Sequence, residues 1–81
     1  MVFEFSKHAL EQMQARGITR SVVKKVLAKP DKIKNEKGKK VYQSIIEKGS
    51  YLIRIFVNVN KTPPLVITVY KTSKIKKYHE S

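Results

Sequence analysis

Two periods divide this chain. Up to Pro30 apolar side chains recur every three to four positions, and from Val41 onward they alternate. Val2 to Phe5 alternates and reads as a short first strand. Ser6 then reads as a helix N-cap, with Phe5 before it and Leu10 at the position that completes a hydrophobic staple. The helix runs from Lys7 to Arg16 and buries a stripe of Ala9, Leu10 and Met13; Gly17 suits the residue just past its end. Thr19 caps a second helix, with Ile18 and Val23 as another staple and Val22, Val23, Val26 and Leu27 as the apolar face. Pro30 stops it, because the residue before a proline avoids the helical region. The two helices form a tight hairpin.

The following lysine-rich segment, from Asp31 to Lys40, reads as an irregular strand and then a loop turning at Gly38. Val41 to Glu47 is strand-like, and Lys48 to Ser50 turns the chain. Ser50 to Asn60 is the strongest strand, with Tyr51, Ile53, Ile55, Val57 and Val59 on one face. Pro63 and Pro64 interrupt the ladder, and Leu65 to Thr72 is the last strong strand. Ser73 to Ser81 reads as a basic tail ending in a short strand or turn. The expected class is α+β: an N-terminal helical hairpin packed on a three- to four-stranded antiparallel sheet, in one domain over residues 1–81. Leu65, Ile67 and Val69 are expected to face the helices with Tyr51, Ile53, Ile55 and Val57. The other face then carries Leu52, Arg54, Phe56 and Asn58 beside Val66, Thr68 and Tyr70, with Tyr42 and Ser44 as possible neighbours.

Composition changes this picture in two ways. Cysteine is absent, which excludes disulfides, thiol catalysis and cysteine-ligated metal centres, and fits a cytoplasmic protein. No apolar run reaches membrane-spanning length, and the first residues lack a signal peptide's pattern, so no membrane role is expected. Eighteen Lys and Arg face six Asp and Glu, for a net charge of +12. Such a field favours phosphate-rich or acidic partners. Fifteen of the cations are lysines, which act as point charges; the three arginines suit defined, bidentate roles.

Four features carry chemistry. His8 falls in the first turn of its helix, where the dipole disfavours imidazolium, so it can serve as a general base; the structural alternative is a cap or seam histidine. His8, Gln12 and Arg16 share one polar helix face. Arg54, between Leu52 and Phe56 on its face, is partly shielded from water and suits a phosphate clamp; it equally suits an arginine snorkelling over apolar neighbours. Tyr70, with Thr68, can stack on a base or relay a proton, or pack the outer sheet face. Lys71, Lys74, Lys76 and Lys77, with Tyr78 and His79, mix cations and rings as single-stranded nucleic acid requires, although a solvated basic tail has the same composition. The two histidines lie far apart and the carboxylates Glu4, Glu11, Asp31, Glu36, Glu47 and Glu80 are scattered, so neither a metal nor another cofactor is expected.

The stretch SKHALEQMQARGITRSVVKKVLAKPDKI, with YLIRIFV and VITVYKTSKIKKY after it, resembles a small bacterial and archaeal domain family of unknown function grouped with RelE/ParE-like toxins. More broadly it is similar to the barnase–EndoU–colicin–RelE group of metal-independent ribonucleases. That resemblance implies a RelE-like fold, RNA as substrate and cleavage by attack of the ribose 2′-OH on the adjacent phosphate. It implies His8 as base or acid, Arg54 as phosphate stabiliser and Tyr70 as proton donor, with Arg16, Thr68, Lys74 and Lys77 contributing to RNA binding, or with Arg16 bracing the helix instead. The expected function is an endoribonuclease toxin, acting on RNA or at the ribosome and neutralised by an acidic antitoxin. A noncatalytic RNA- or ribosome-binding module and a ParE-like toxin with a protein target are the alternatives.

Overall fold

The computed structural model describes residues 2–79. Strand β1 (Glu4–Phe5) leads into helices α1 (Lys7–Arg16) and α2 (Arg20–Ala28). Strands β2 (Lys32–Glu36), β3 (Lys39–Ile46), β4 (Tyr51–Asn58) and β5 (Leu65–Thr72) follow, and then a short helix α3 (Ile75–His79). The class is α+β, as expected. The sheet, however, has five strands in the order β1-β5-β4-β3-β2, and it is mixed rather than antiparallel because β1 runs parallel to β5.

Both helix starts follow their caps. Ser6 Oγ accepts from the Ala9 amide at 3.0 Å, and Thr19 Oγ1 from the Val22 amide at 3.2 Å. Gly17 ends α1 in the left-handed region at φ 66°, with open space where a Cβ would stand. Ala9 and Met13 of α1, Ile18, and Val23, Val26 and Leu27 of α2 bury themselves against Tyr42, Ile53, Ile55, Val57, Val66 and Val69.

Three segments depart from the sequence expectation. The lysine-rich run after α2 is a regular strand, closed onto β3 by Lys37 and Gly38 at φ 52° and 76°. Two consecutive positive φ values are the signature of a type I′ hairpin turn, which matches strand twist. In β5 the register jumps from Phe56–Thr68 to Val57–Val66, leaving Ile67 without a partner. This bulge moves Val66 to the helix side, where it is fully buried, instead of the outer face assigned to it by simple alternation. Finally, part of the basic tail is α3, which lies against β4 and closes the sheet's second face.

Parallel β1 covers only the start of β5, in the pairs Glu4–Leu65 and Phe5–Val66. Beyond it α1 takes over the open edge with side chains. Ser6 Oγ donates to the Ile67 carbonyl (3.4 Å), Gln12 Oε1 accepts from the Val69 amide (2.9 Å) and Arg16 Nη1 donates to the Val69 carbonyl (3.2 Å). The edge groups that lack a strand neighbour are thus paired with a helix. Among the described residues, no helix is long and apolar enough to cross a membrane.

Candidate functional site

The face away from α1 and α2 gathers the chain's polar chemistry. Gln43 of β3 pairs with Arg54 of β4, which pairs with Tyr70 of β5, so three neighbouring strands present these side chains in a row. Gln43 and Arg54 are only 0% and 3% exposed. A charge so buried requires partners, and the guanidinium has one at each nitrogen. Nε donates to Gln43 Oε1 (3.1 Å), Nη1 to Tyr70 Oη (2.8 Å) and Nη2 to the Glu36 carboxylate, with which it forms an ion pair.

Aromatic rings complete the enclosure. The guanidinium carbon lies 4.7 Å from the Tyr78 ring centroid, 5.3 Å from that of Phe56 and 5.9 Å from that of Tyr70. Phe56 and Tyr70 themselves stack at 6.1 Å. Burial draws the Arg54 pKa down, while the hydrogen bonds and charge of Tyr70 and Glu36 draw it up by more, so the net direction is upward.

Arg54 also fixes its neighbour. Because Gln43 Oε1 accepts from Arg54, the amide nitrogen must point the other way, and it meets the Tyr78 carbonyl at 3.2 Å and His79 Nδ1 at 2.9 Å. An amide nitrogen only donates. His79 Nδ1 is therefore the acceptor in this contact. Lys32 and Lys34 of β2 donate their Nζ groups to the carbonyls of His79 and Tyr78. These bonds cap the C-terminal end of α3, where the helix dipole welcomes cations.

The structure unites some expected residues and separates others. Arg54, Tyr70 and Tyr78 form one cluster, and Thr68 shares their face through its pairing with Phe56. His8 is exposed on α1, an element packed on the other face, and it does not reach them. Arg16 braces α1 to β5. Lys71 pairs with Ile53 on the helix side, where it bonds Glu47 at 2.9 Å and lies 4.9 Å from the Tyr51 ring. Lys74 and Lys76 are exposed on and before α3, and Lys77 Nζ lies 5.3 Å from the Tyr78 ring. Glu80 falls outside the described residues.

Glu36 and Gln43 belong to the cluster and are not singled out by sequence, and His79 belongs to it although the sequence places it only in the basic tail. For Gln43 a signal exists. It stands between Val41 and Ile45 on one face of a strand, and a buried strand tolerates an amide there only beside a polar partner. For Glu36 and His79 no local signal exists, because hairpin closure and the fold-back of α3 bring them in. Among the described residues no three His, Asp or Glu side chains come together as a metal site requires.

The profile of a family described as a domain of unknown function (DUF4258) matches residues 5–71. That span holds Glu36, Gln43, Arg54 and Tyr70, and it ends before α3. No curated protein and no solved structure matches the chain.

Proposed function

The chain belongs to the DUF4258 family, domains of unknown function; from its site, and not from that family, we propose that it is a RelE-like, metal-independent endoribonuclease, the toxin of a toxin–antitoxin pair. One observation supports this reading above the others: an arginine, a carboxylate and two phenols converge on one sheet face of a strongly basic chain. Arg54 is suited to meet the scissile phosphate through Nη2 in place of Glu36, while Gln43 and Tyr70 hold the other two nitrogens. Glu36, released and with its side chain 39% exposed, then takes the proton of the ribose 2′-OH. The 2′ oxygen bonds to phosphorus, the bond to the 5′ oxygen breaks, and Tyr70 donates its free hydroxyl proton to that oxygen. The products are a cyclic phosphate and a 5′-hydroxyl. Charge on the phosphorane rests on Arg54. The partner that silences such a protein would be acidic, matching the charge of +12.

A second reading, a noncatalytic RNA- or ribosome-binding module, is favoured by the fact that every guanidinium nitrogen of Arg54 already has a partner within the protein. Labelled RNA incubated with the protein in EDTA, with and without ribosomes, separates the two. Cuts ending in cyclic phosphate are expected, lost in Glu36→Gln and Tyr70→Phe and retained in His8→Ala. Loss in His8→Ala alone would move the chemistry to α1. RNA bound but intact in every sample would leave the binding module. No RNA binding at all would point to a protein target of the ParE kind.

A further inference from the structure

On the helix side, the sheet outruns its cover. β2 is an edge strand, and its helix-side residue Ile33 pairs with core residue Tyr42 yet remains 48% exposed. Beside it lies a groove of about 760 Å³ whose walls include Val2, Phe3, Leu27, Pro30, Ile33 and Tyr42. Val2 is 73% exposed, so two of the large exposed apolar side chains line this one depression. Lys24 also lines it. A strand edge and an apolar groove side by side are the two halves of a strand-addition site: the edge supplies main-chain bonds and the groove takes alternate side chains.

We propose that the β2 edge and this groove dock an extended acidic segment of a partner protein as a sixth strand. The β2–β3 hairpin has a two-residue turn, so the Glu36–Lys39 pair beside it bonds across the ladder and alternate residues point away. Ile33 and Asn35 therefore offer their N–H and C=O groups to an incoming strand. On the groove side that strand meets Ile33 and the apolar wall, so its side chains there are apolar. On the other side it passes Lys32 and Lys34, so its alternate side chains are acidic. Both lysines are held on main-chain carbonyls of α3, Lys32 on that of His79 and Lys34 on that of Tyr78, and these acceptors are neutral.

The same lysines select against self-pairing. A second copy adding through its own β2 would set lysine beside lysine, which is how natural edge strands avoid aggregation. An acidic strand converts that repulsion into attraction, in a chain whose field of +12 already draws it in. The inference rests on the acidic-partner part of the proposed function and not on RNA cleavage.

The full chain, immobilised, is used to select from a library of random 12-residue peptides at ~150 mM salt, near which screening leaves only close charge pairs effective. Enriched sequences are expected to alternate apolar with acidic residues. The leading peptide should lose at least about tenfold in affinity against Ile33→Glu and against Asn35→Pro, which removes an outward N–H on an edge that tolerates proline. Its binding should slow amide exchange at Ile33 and Asn35, and RNA binding should be unchanged in Asn35→Pro. Absence of enrichment, enriched peptides without acidic residues, wild-type affinity retained by both variants, or protection confined elsewhere would each overturn the proposal. A failure of RNA cleavage would leave it standing.

Discussion

At the scale of single residues, Arg54 does more to define the second sheet face than any neighbour. Removing one side of a buried, hydrogen-bonded pair is costly because the other side is left unpaired. Arg54→Ala strands the fully buried Gln43 amide, so a loss of roughly 2–4 kcal/mol in urea denaturation is expected. Glu36→Gln should cost less, about 1 kcal/mol, because Glu36 is partly solvated and its amide oxygen still accepts from the guanidinium. The pKa of Arg54 is raised, so its stabilising charge is complete below the unfolded value and is lost only as pH rises through the higher folded one. Stability titrations up to pH ~10 should therefore show no loss traceable to Arg54, since the guanidinium stays charged there; wild-type and Glu36→Gln curves that converge as pH rises from ~7 to ~10 would contradict this. The sequence exposes Arg54 as an arginine between apolar neighbours, and Tyr70 follows by alternation. It does not expose His79, whose place depends on a fold-back that no local pattern encodes.

At the scale of elements, the legible parts are those with a dense apolar period and a recognised cap. Both long helices carry Ser or Thr caps and staples, and α1 and β5 have the expected limits. β2 is harder to read because Ile33 is its lone apolar residue, and Lys-Gly is a weaker hairpin signal than Asn-Gly. Its turn nevertheless holds Lys37 at φ 52°. Lys37→Asn should stabilise the hairpin by about 0.5 kcal/mol, because asparagine accepts that conformation more readily than lysine. The urea midpoint should rise at constant slope. The bulge at Ile67 is invisible to alternation, and α3 is too short to show a helical period. Its carbonyls are held by Lys32, Lys34 and Gln43, side chains remote in sequence. The edge of β5 makes the complementary case. Gln12→Ala frees the Val69 amide from its acceptor, and a cost of about 1 kcal/mol with faster exchange at Val69 is expected. Arg16→Ala should cost a similar amount and leave the salt dependence of RNA binding unchanged, which separates a brace from a phosphate contact.

At the scale of the whole molecule, charge acts on two equilibria in opposite directions. A net +12 on a body with a Cα radius of gyration of 11.7 Å repels itself throughout the fold. The ion pairs Arg54–Glu36 and Lys71–Glu47 relieve only part of this. Added salt screens the repulsion, with a Debye length falling from about 30 Å at 0.01 M to about 8 Å at 0.15 M, a span comparable to the molecule itself. The melting temperature of the free protein should therefore climb over that range and then level off. RNA binding should respond the other way. If about five phosphates of a single strand are engaged, the logarithm of affinity falls against the logarithm of salt with a slope near −3.5. The composition shows the charge but not how it is distributed, and the fold divides it: Lys32 and Lys34 cap α3 beside Arg54, while Lys71 lies on the other face. Lys76→Gln and Lys77→Gln should each lower the salt slope by about 0.7 if α3 meets the strand. Lys71→Gln should leave it unchanged and cost only a fraction of a kcal/mol, as an exposed ion pair does. Equal effects from all three substitutions would mean that the field of the whole chain, and not the Arg54 face, holds the RNA.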